Sequence, residues 1–439
     1  MIKVITYGSY DLLHYGHIRL LERAKALGDY LIVGVTSDDY DKKRGKINLQ
    51  QSLMERVDAI KATGLADEIV IEEYEGQKID DIKAFDIDIF AIGSDWEGQF
   101  DYLKEYCKVV YLPRTEGVSS SEIRDKKRFV RLGLIGDSKF INKVWKESKL
   151  VNGISVNALC TNQQSIVDEK GLKEIKNVSN IIEDILDEVD AVYVRSLPDE
   201  HYVQIKQLLN AGKHVLCESP LTLNKKQAKE LIDLAQEKDL VLMEAIKTAY
   251  STAYSRLLLL IKSGIIGKVV SISAVCTSIR EKKVGEWRCI HEWGPTALLP
   301  LFQILGTEDK RSTIISHLRE DGNDSFTQID CLYEDSVGTI RIGDGVKAEG
   351  ELVISGTKGY IYVPAPWWNT DYFEIRYEDS SQNKRYFYQL DGEGIRYELV
   401  AFARAIDRGQ GESNINSEIT LKIAEMMEAF ENRVNMDII

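Results

Sequence analysis

Apolar positions fall in short runs that alternate with stretches of helical spacing. Ile2-Lys3-Val4-Ile5-Thr6-Tyr7 reads as a buried first strand. Ile18, Leu20, Leu21, Ala24 and Leu27 then recur at helical spacing, and Gly28 stops that helix. Further strands are expected at Tyr30–Val35, Ile69–Ile71, Ile87–Ile92 and Val109–Leu112. Ser52 and Glu55 have capping-box spacing and open a helix that carries Arg56. Such alternation predicts a parallel sheet with helices on both faces and ligands at the carboxyl ends of its strands.

The charged segment Arg124–Arg128 reads as a linker, after which Val130–Ile135 restarts the pattern. Gly136 opens a turn into a helix, and βα units follow at Ile154–Leu159, Ala191–Val194, His201–Ala211 and His214–Cys217. From Val269 to about Tyr388 alternating strands dominate, with few strong helix signals. A helix-rich end follows, amphipathic over Thr420–Val434. The expected class is α/β: two Rossmann-like domains, 1–128 and 129–268, then an α+β domain with an open antiparallel sheet, 269–439.

A chain of 439 residues is too long for one core, in keeping with several domains. Its net charge of −14 excludes general binding to nucleic acid or an anionic membrane, while leaving room for a local basic pocket. Cys107, Cys160, Cys217, Cys276, Cys289 and Cys331 lack CxxC spacing, which suits reduced thiols in a cytoplasm. No signal peptide is expected, and no apolar run reaches the ~20 residues of a membrane span.

The chemistry concentrates in Gly8-Ser-Tyr-Asp-Leu-Leu-His-Tyr-Gly-His17. Asp11, His14 and His17 cluster where a strand gives way to a helix, whose exposed N–H groups attract phosphate. Gly16 lets backbone approach a ligand, and two imidazoles can donate to a phosphoryl group. Asp11 serves equally well as a helix cap. Three more polar groups follow strand ends: Lys43–Lys46, Gly93-Ser94-Asp95-Trp96, and Arg114–Ser121. Within the last, Ser119 and Glu122 have capping-box spacing, giving a second helix start with Arg114 beside it.

The segments GSYDLLHYGHIRLLERAKALGDYL, GSDWEGQFDYL and YLPRTEGVSSSEI closely resemble the glycerol-3-phosphate cytidylyltransferases, within the H-x-G-H nucleotidyltransferase superfamily. Ser9-Tyr10 stands where the family usually has Thr-Phe, and Ser120-Ser121 where it often has Thr. The resemblance implies transfer of CMP from CTP to a polyol phosphate, with release of pyrophosphate and production of a CDP-polyol for a cell-surface polymer. It implies that His14, His17, Lys46 and Arg114 are catalytic. Tyr7, Gly8, Ser9, Gly16, Gly93, Asp95, Trp96, Thr115, Ser119 and Ser120 would bind nucleotide, Arg56 and Lys46 the acceptor phosphate, and Asp11 a Mg2+ ion. The expected partners are CTP and a small polyol or sugar phosphate, in a homodimer.

Residues 129–439 resemble the Gfo/Idh/MocA family of NAD(P)-dependent sugar dehydrogenases, through DAVYVRSLPDEHYVQIKQLLNAGKHVLCESPLT, LVLMEAIKTAYS, IKSGIIGKV and RYELVAFARAIDRGQGE. The family's G-x-G-x-x-G/A turn here reads Gly136-Asp137-Ser138-Lys139-Phe140-Ile141, keeping only the first glycine and placing a carboxylate near the pyrophosphate position. Its E-K-P reads Glu218-Ser219-Pro220, and its later proton-donor motif becomes Glu292-Trp293-Gly294-Pro295-Thr296. Without a general acid, a term worth ~10²–10⁴-fold, the expectation is a dehydrogenase fold without its catalysis. His291 is the one nearby replacement donor. The alternative is a bifunctional enzyme whose second half reduces a keto-sugar phosphate or its CDP derivative with NAD(P)H.

Overall fold

The structure, a computed structural model, describes residues 1–43, 49, 51–74, 76–113, 130–151, 153–279, 287–388, 390, 392–408 and 413–439. The chain divides into two compact units, Met1–Phe129 and Val130–Ile439.

The first unit runs β1 (Lys3–Gly8), α1 (Tyr15–Lys25), β2 (Tyr30–Thr36), α2 (Asp38–Lys43), α3 (Leu53–Ala62), β3 (Glu68–Glu72), α4 (Gln77–Phe85), β4 (Ile89–Gly93) and β5 (Lys108–Leu112). All five strands are parallel, in the order β3-β2-β1-β4-β5. Successive side chains of β1 serve opposite layers: Val4 packs with Leu21, Leu31 and Ile60, and Ile5 with Ile32, Ile82 and Phe90. Gly34 of β2 must be glycine, because a Cβ there would lie 2.2 Å from the Tyr7 ring. The Ser52–Glu55 capping box forms at the start of α3. Strand order reverses between β1 and β4, so the crevice beyond their carboxyl ends receives the loops after Gly8 and Gly93.

The second unit opens with β6 (Val130–Ile135), α5 (Phe140–Ser148), β7 (Ile154–Cys160), β8 (Asn177–Ser179), β9 (Ala191–Val194), α6 (Pro198–Asn210), β10 (His214–Glu218), α7 (Lys225–Glu237) and β11 (Leu242–Ala245). These strands form a parallel sheet in the order β11-β10-β9-β6-β7-β8, with its own switch point between β6 and β9. There follow α8 (Thr252–Lys262), β12 (Val269–Ser278), α9 (Cys289–Leu305), β13 (Arg311–Leu318), β14 (Asp324–Leu332), β15 (Val337–Asp344), β16 (Leu352–Gly356), β17 (Tyr360–Val363), β18 (Tyr372–Arg376), β19 (Lys384–Phe387), α10 (Ile395–Arg408), α11 (Ser417–Glu431) and β20 (Met436–Ile438).

The last nine strands form one sheet, ordered β19-β18-β17-β16-β12-β15-β14-β13-β20. It is mixed rather than purely antiparallel: β12 pairs with β15, and β13 with β20, in parallel. Helix α9 lies on β12, β14 and β15, burying Ile290, Ala297, Leu298, Leu299 and Leu301.

Candidate active site at the β1–β4 switch point

Beyond β1 the backbone turns sharply. Tyr10 and Leu12 take φ of 52° and 50°, left-handed values that side chains rarely adopt, with Asp11 between them. Gly8 makes the turn fit, since a Cβ there would touch the buried Tyr10 ring at 3.0 Å. His14 is the N-cap of α1, and its Nδ1 accepts from Gly16 N at 3.1 Å. His17, one turn on, stacks on His14 with ring centroids 3.9 Å apart and planes 21° from parallel. The Tyr10 ring stands edge-on to His17 at 5.5 Å. The two imidazoles thus form one unit at a helix start, where the backbone dipole favours negative charge.

Asp11, expected as a metal ligand, is 3 % exposed and its Oδ1 accepts from Gln51 N at 3.0 Å. Gln51 returns the contact, its Oε1 accepting from Leu12 N at 2.7 Å. Among the described residues no group of three His, Cys, Asp or Glu side chains is arranged to hold a metal ion. Asp11 braces the turn.

Two further expected site residues are engaged within the fold. Arg56 does not reach out to an acceptor phosphate: it is 0 % exposed, and its Nη1 donates to Ser9 O at 2.6 Å and Thr36 O at 2.9 Å. Its Nη2 binds Asp38, and Asp41, which accepts from Ser9 Oγ at 2.9 Å, lies 3.9 Å from Nη1. Arg56 brackets the ends of β1 and β2 from within. Tyr7 is likewise turned inward. Its ring is buried against Gly34, its hydroxyl donates to Asp81 at 2.7 Å, and Lys78 Nζ stands 4.7 Å over the ring. Burial and the Asp81 carboxylate push its phenol far up, so it stays neutral.

Gly93 ends β4, and Ser94-Asp95-Trp96 forms a tight turn beside it. The half-buried Trp96 ring leans on Phe100 at 5.8 Å. Lys46, Arg114, Thr115, Ser119 and Ser120 lie outside the described residues. The reading of the sequence missed Tyr10, Asp41 and Gln51. Tyr10 looks like one more aromatic, and the other two act through contacts 15 to 40 residues away.

In the second unit, Gly136 has φ 145°, and a Cβ there would lie 2.4 Å from Arg195 O, so β6 and the end of β9 meet too closely for any side chain. Where a lysine was expected, buried Ser219 donates to Glu244, which also accepts from Leu221 N at 3.0 Å. His291 is buried, with Nε2 3.0 Å from Glu431 Oε1, a carboxylate that Arg288 also binds. It braces α9 against α11. Glu218 accepts from Tyr193, and Glu398 is buried with no hydrogen bond to either oxygen. Burial drives the Glu398 carboxyl well up, helped by the neighbouring Glu218.

Comparison with known proteins fits this division. The family described as Cytidylyltransferase-like matches residues 5–126, and the oxidoreductase family with an NAD-binding Rossmann fold matches residues 130–246. Glycerol-3-phosphate cytidylyltransferase of Bacillus spizizenii is 52% identical over 124 residues, covering 28% of this chain and 95% of that protein. The Staphylococcus aureus enzyme of the same name is 46% identical over 129 residues, covering 29% of this chain and 95% of its own. A crystal structure of KijD10, a 3-ketoreductase from Actinomadura kijaniata in complex with NADP and TDP-benzene, superposes with a TM-score of 0.63. It is 21% identical and covers 71% of this chain and 99% of that one, a likeness of fold. Through its first unit the chain belongs to the family of glycerol-3-phosphate cytidylyltransferases, and to that unit it joins an oxidoreductase domain of the Gfo/Idh/MocA type.

Proposed function

We propose that this chain transfers CMP from CTP to a polyol phosphate, glycerol 3-phosphate or a near relative, releasing pyrophosphate. A phosphate oxygen of the acceptor attacks the α-phosphorus in line, and the bond from that phosphorus to the bridging oxygen of the β-phosphate breaks. Little covalent help is needed, so catalysis rests on positioning and on stabilising charge. His14 and His17 donate to phosphoryl oxygens as charge builds, beside the N-terminus of α1. Each such donor is worth about 10²–10³ in rate. Arg114, Thr115, Ser119 and Ser120 hold the departing β- and γ-phosphates, and Lys46 neutralises the triphosphate or the acceptor phosphate. Gly93, Asp95 and Trp96 border the cytidine. Mg2+ enters as part of the substrate, bound to the triphosphate.

The observation that carries the reading is the stacked His14–His17 pair, set at the switch point of a parallel sheet. The same reading places the enzyme in the cytoplasm, where the described cysteines, all free, stay reduced. It makes a homodimer that supplies CDP-polyol for a capsule or teichoic acid. Among the described residues no helix is long and apolar enough to cross a membrane. The bifunctional alternative draws on the likeness to the ketoreductase fold, while Ser219 already donates to Glu244 and His291 already pairs with Glu431.

The test is pyrophosphate release by the full chain with CTP, Mg2+ and a panel of phosphorylated polyols and ketoses. Turnover with a polyol phosphate, abolished in His17→Ala without loss of fold, is expected. Near-normal turnover in that variant, or no release with any acceptor, overturns the reading.

A further inference from the structure

The turn after β6 is where a dinucleotide-binding fold presents bare backbone N–H groups to a pyrophosphate. Here four of the N–H groups at and just after this turn are already engaged. Gly136 N donates to Cys160 O at 3.1 Å, Phe140 N to Ser138 Oγ at 3.2 Å, Ile141 N to Ser138 O at 3.0 Å, and Asn142 N to Lys139 O at 3.2 Å. Ser138, standing where the second glycine of the pattern belongs, supplies a hydroxyl that takes the Phe140 N–H from within the turn.

Asp137 does more than add charge. One carboxylate oxygen accepts from Thr161 Oγ1 at 2.7 Å and Asn162 N at 2.7 Å, and the other from Asn162 Nδ2 at 3.0 Å. The side chain thus bridges the ends of β6 and β7, the crossing a bound dinucleotide would make. Although burial works the other way, these donors hold the carboxyl below the usual range, so it is ionised at neutral pH. Glu200, in the first turn of α6, is pushed up, by burial first and then by Asp199 and Asp137. On the β9 side, the Arg195 guanidinium lies 3.7 Å from the Trp287 ring centre and 5.6 Å from that of Phe140, the first residue of α5. The residues present do not fit a nicotinamide dinucleotide.

We infer that the second unit has closed its phosphate turn on itself, with Asp137 as a built-in anion and Ser138 as a built-in acceptor, and takes no NAD(P). The fold is kept while its ligand has been replaced by two of its own side chains. That follows from electrostatics: a pyrophosphate in this turn would displace satisfied hydrogen bonds and lie against an ionised carboxylate.

The experiment is titration of the full chain with NADPH, followed by calorimetry and by the emission of the bound cofactor. No saturable binding up to about 1 mM is expected, and a dissociation constant in the micromolar range overturns the inference. A second arm uses Asp137→Gly with Ser138→Gly, which removes the carboxylate and restores the second glycine of the pattern. It should bind NADPH at least about tenfold more tightly than the native chain, and NADPH should raise its melting temperature. If that variant does not fold, Asp137→Asn with Ser138→Gly replaces it, with the same expectation. A folded variant that gains nothing overturns the role given to these two side chains. Pyrophosphate release from CTP, measured on the same preparations, should not change, so failure here is distinguishable from failure of the cytidylyltransferase reading.

Discussion

Asp11 and Gln51 grip one turn from two sides of the chain: Gln51 N donates to Asp11 Oδ1 at 3.0 Å, and Gln51 Oε1 accepts from Leu12 N at 2.7 Å. The pair pins a backbone in which both neighbours of Asp11 have positive φ. It also ties the histidine loop to the segment that leads into α3.

If Asp11 braces rather than ligates, the amide should serve nearly as well. Asp11→Asn keeps an oxygen acceptor for Gln51 N, so its stability should fall by less than about 1 kcal/mol and its Mg2+ half-saturation should stay put. Asp11→Ala should cost about 1–3 kcal/mol by leaving the N–H unpaired. Chemical denaturation together with a Mg2+ titration of pyrophosphate release decides this. A large rise in Mg2+ requirement for Asp11→Asn would restore the metal role.

Arg56→Met should destabilise the first unit by about 3–5 kcal/mol, because Asp41, 0 % exposed, loses a buried cation and two strand-end carbonyls lose a donor. Urea unfolding measures the loss. In any folded fraction, kcat and both KM values should worsen together as the loop loosens. A selective rise in KM for the polyol phosphate, with stability intact, would return Arg56 to the acceptor site.

His14 has two jobs that one substitution can separate. Asparagine caps helices well, so His14→Asn should hold α1 to within about 1 kcal/mol of the native protein. The donor aimed at phosphate is lost, and kcat should drop about 10²–10³-fold. Thermal melting and steady-state kinetics on one preparation check both halves.

His201 makes the second unit acid-sensitive. It is buried between Pro220 O, 2.9 Å from Nδ1, and Ser196 O, 3.1 Å from Nε2, and burial pushes its pKa from 6.5 down to about 4. The folded ring therefore holds its proton more weakly than the unfolded one. Stability is complete above pH 6.5 and is lost progressively as the pH falls towards 4, by about 3 kcal/mol in all. Melting followed between about pH 7.5 and about pH 5 should show a steeper loss for the native chain than for His201→Asn.

Much of this was legible from local pattern. Strand and helix periods, the Ser52–Glu55 box and the histidine spacing are short-range signals, and each of these elements stands where the pattern puts it. What escaped depends on distant partners. Helix α9 runs through Pro295 and Pro300, residues that read as breakers, yet packing on β12, β14 and β15 holds it helical. The parallel pairing of β20 with β13 joins segments more than a hundred residues apart, beyond any local signal. Arg56 and Tyr7 were assigned by motif to ligand contact. Only the strands around them reveal that one guanidinium and one phenol face inward.

The bond from Gly16 N to His14 Nδ1 settles a question of tautomer. A lone pair must face the amide, so in the neutral ring the hydrogen sits on Nε2, the outward nitrogen. His14 can then give a hydrogen bond without first gaining a charge, but it cannot take a proton from an attacking group through that same atom. The nucleophile must accordingly arrive already ionised, as a phosphate oxygen does.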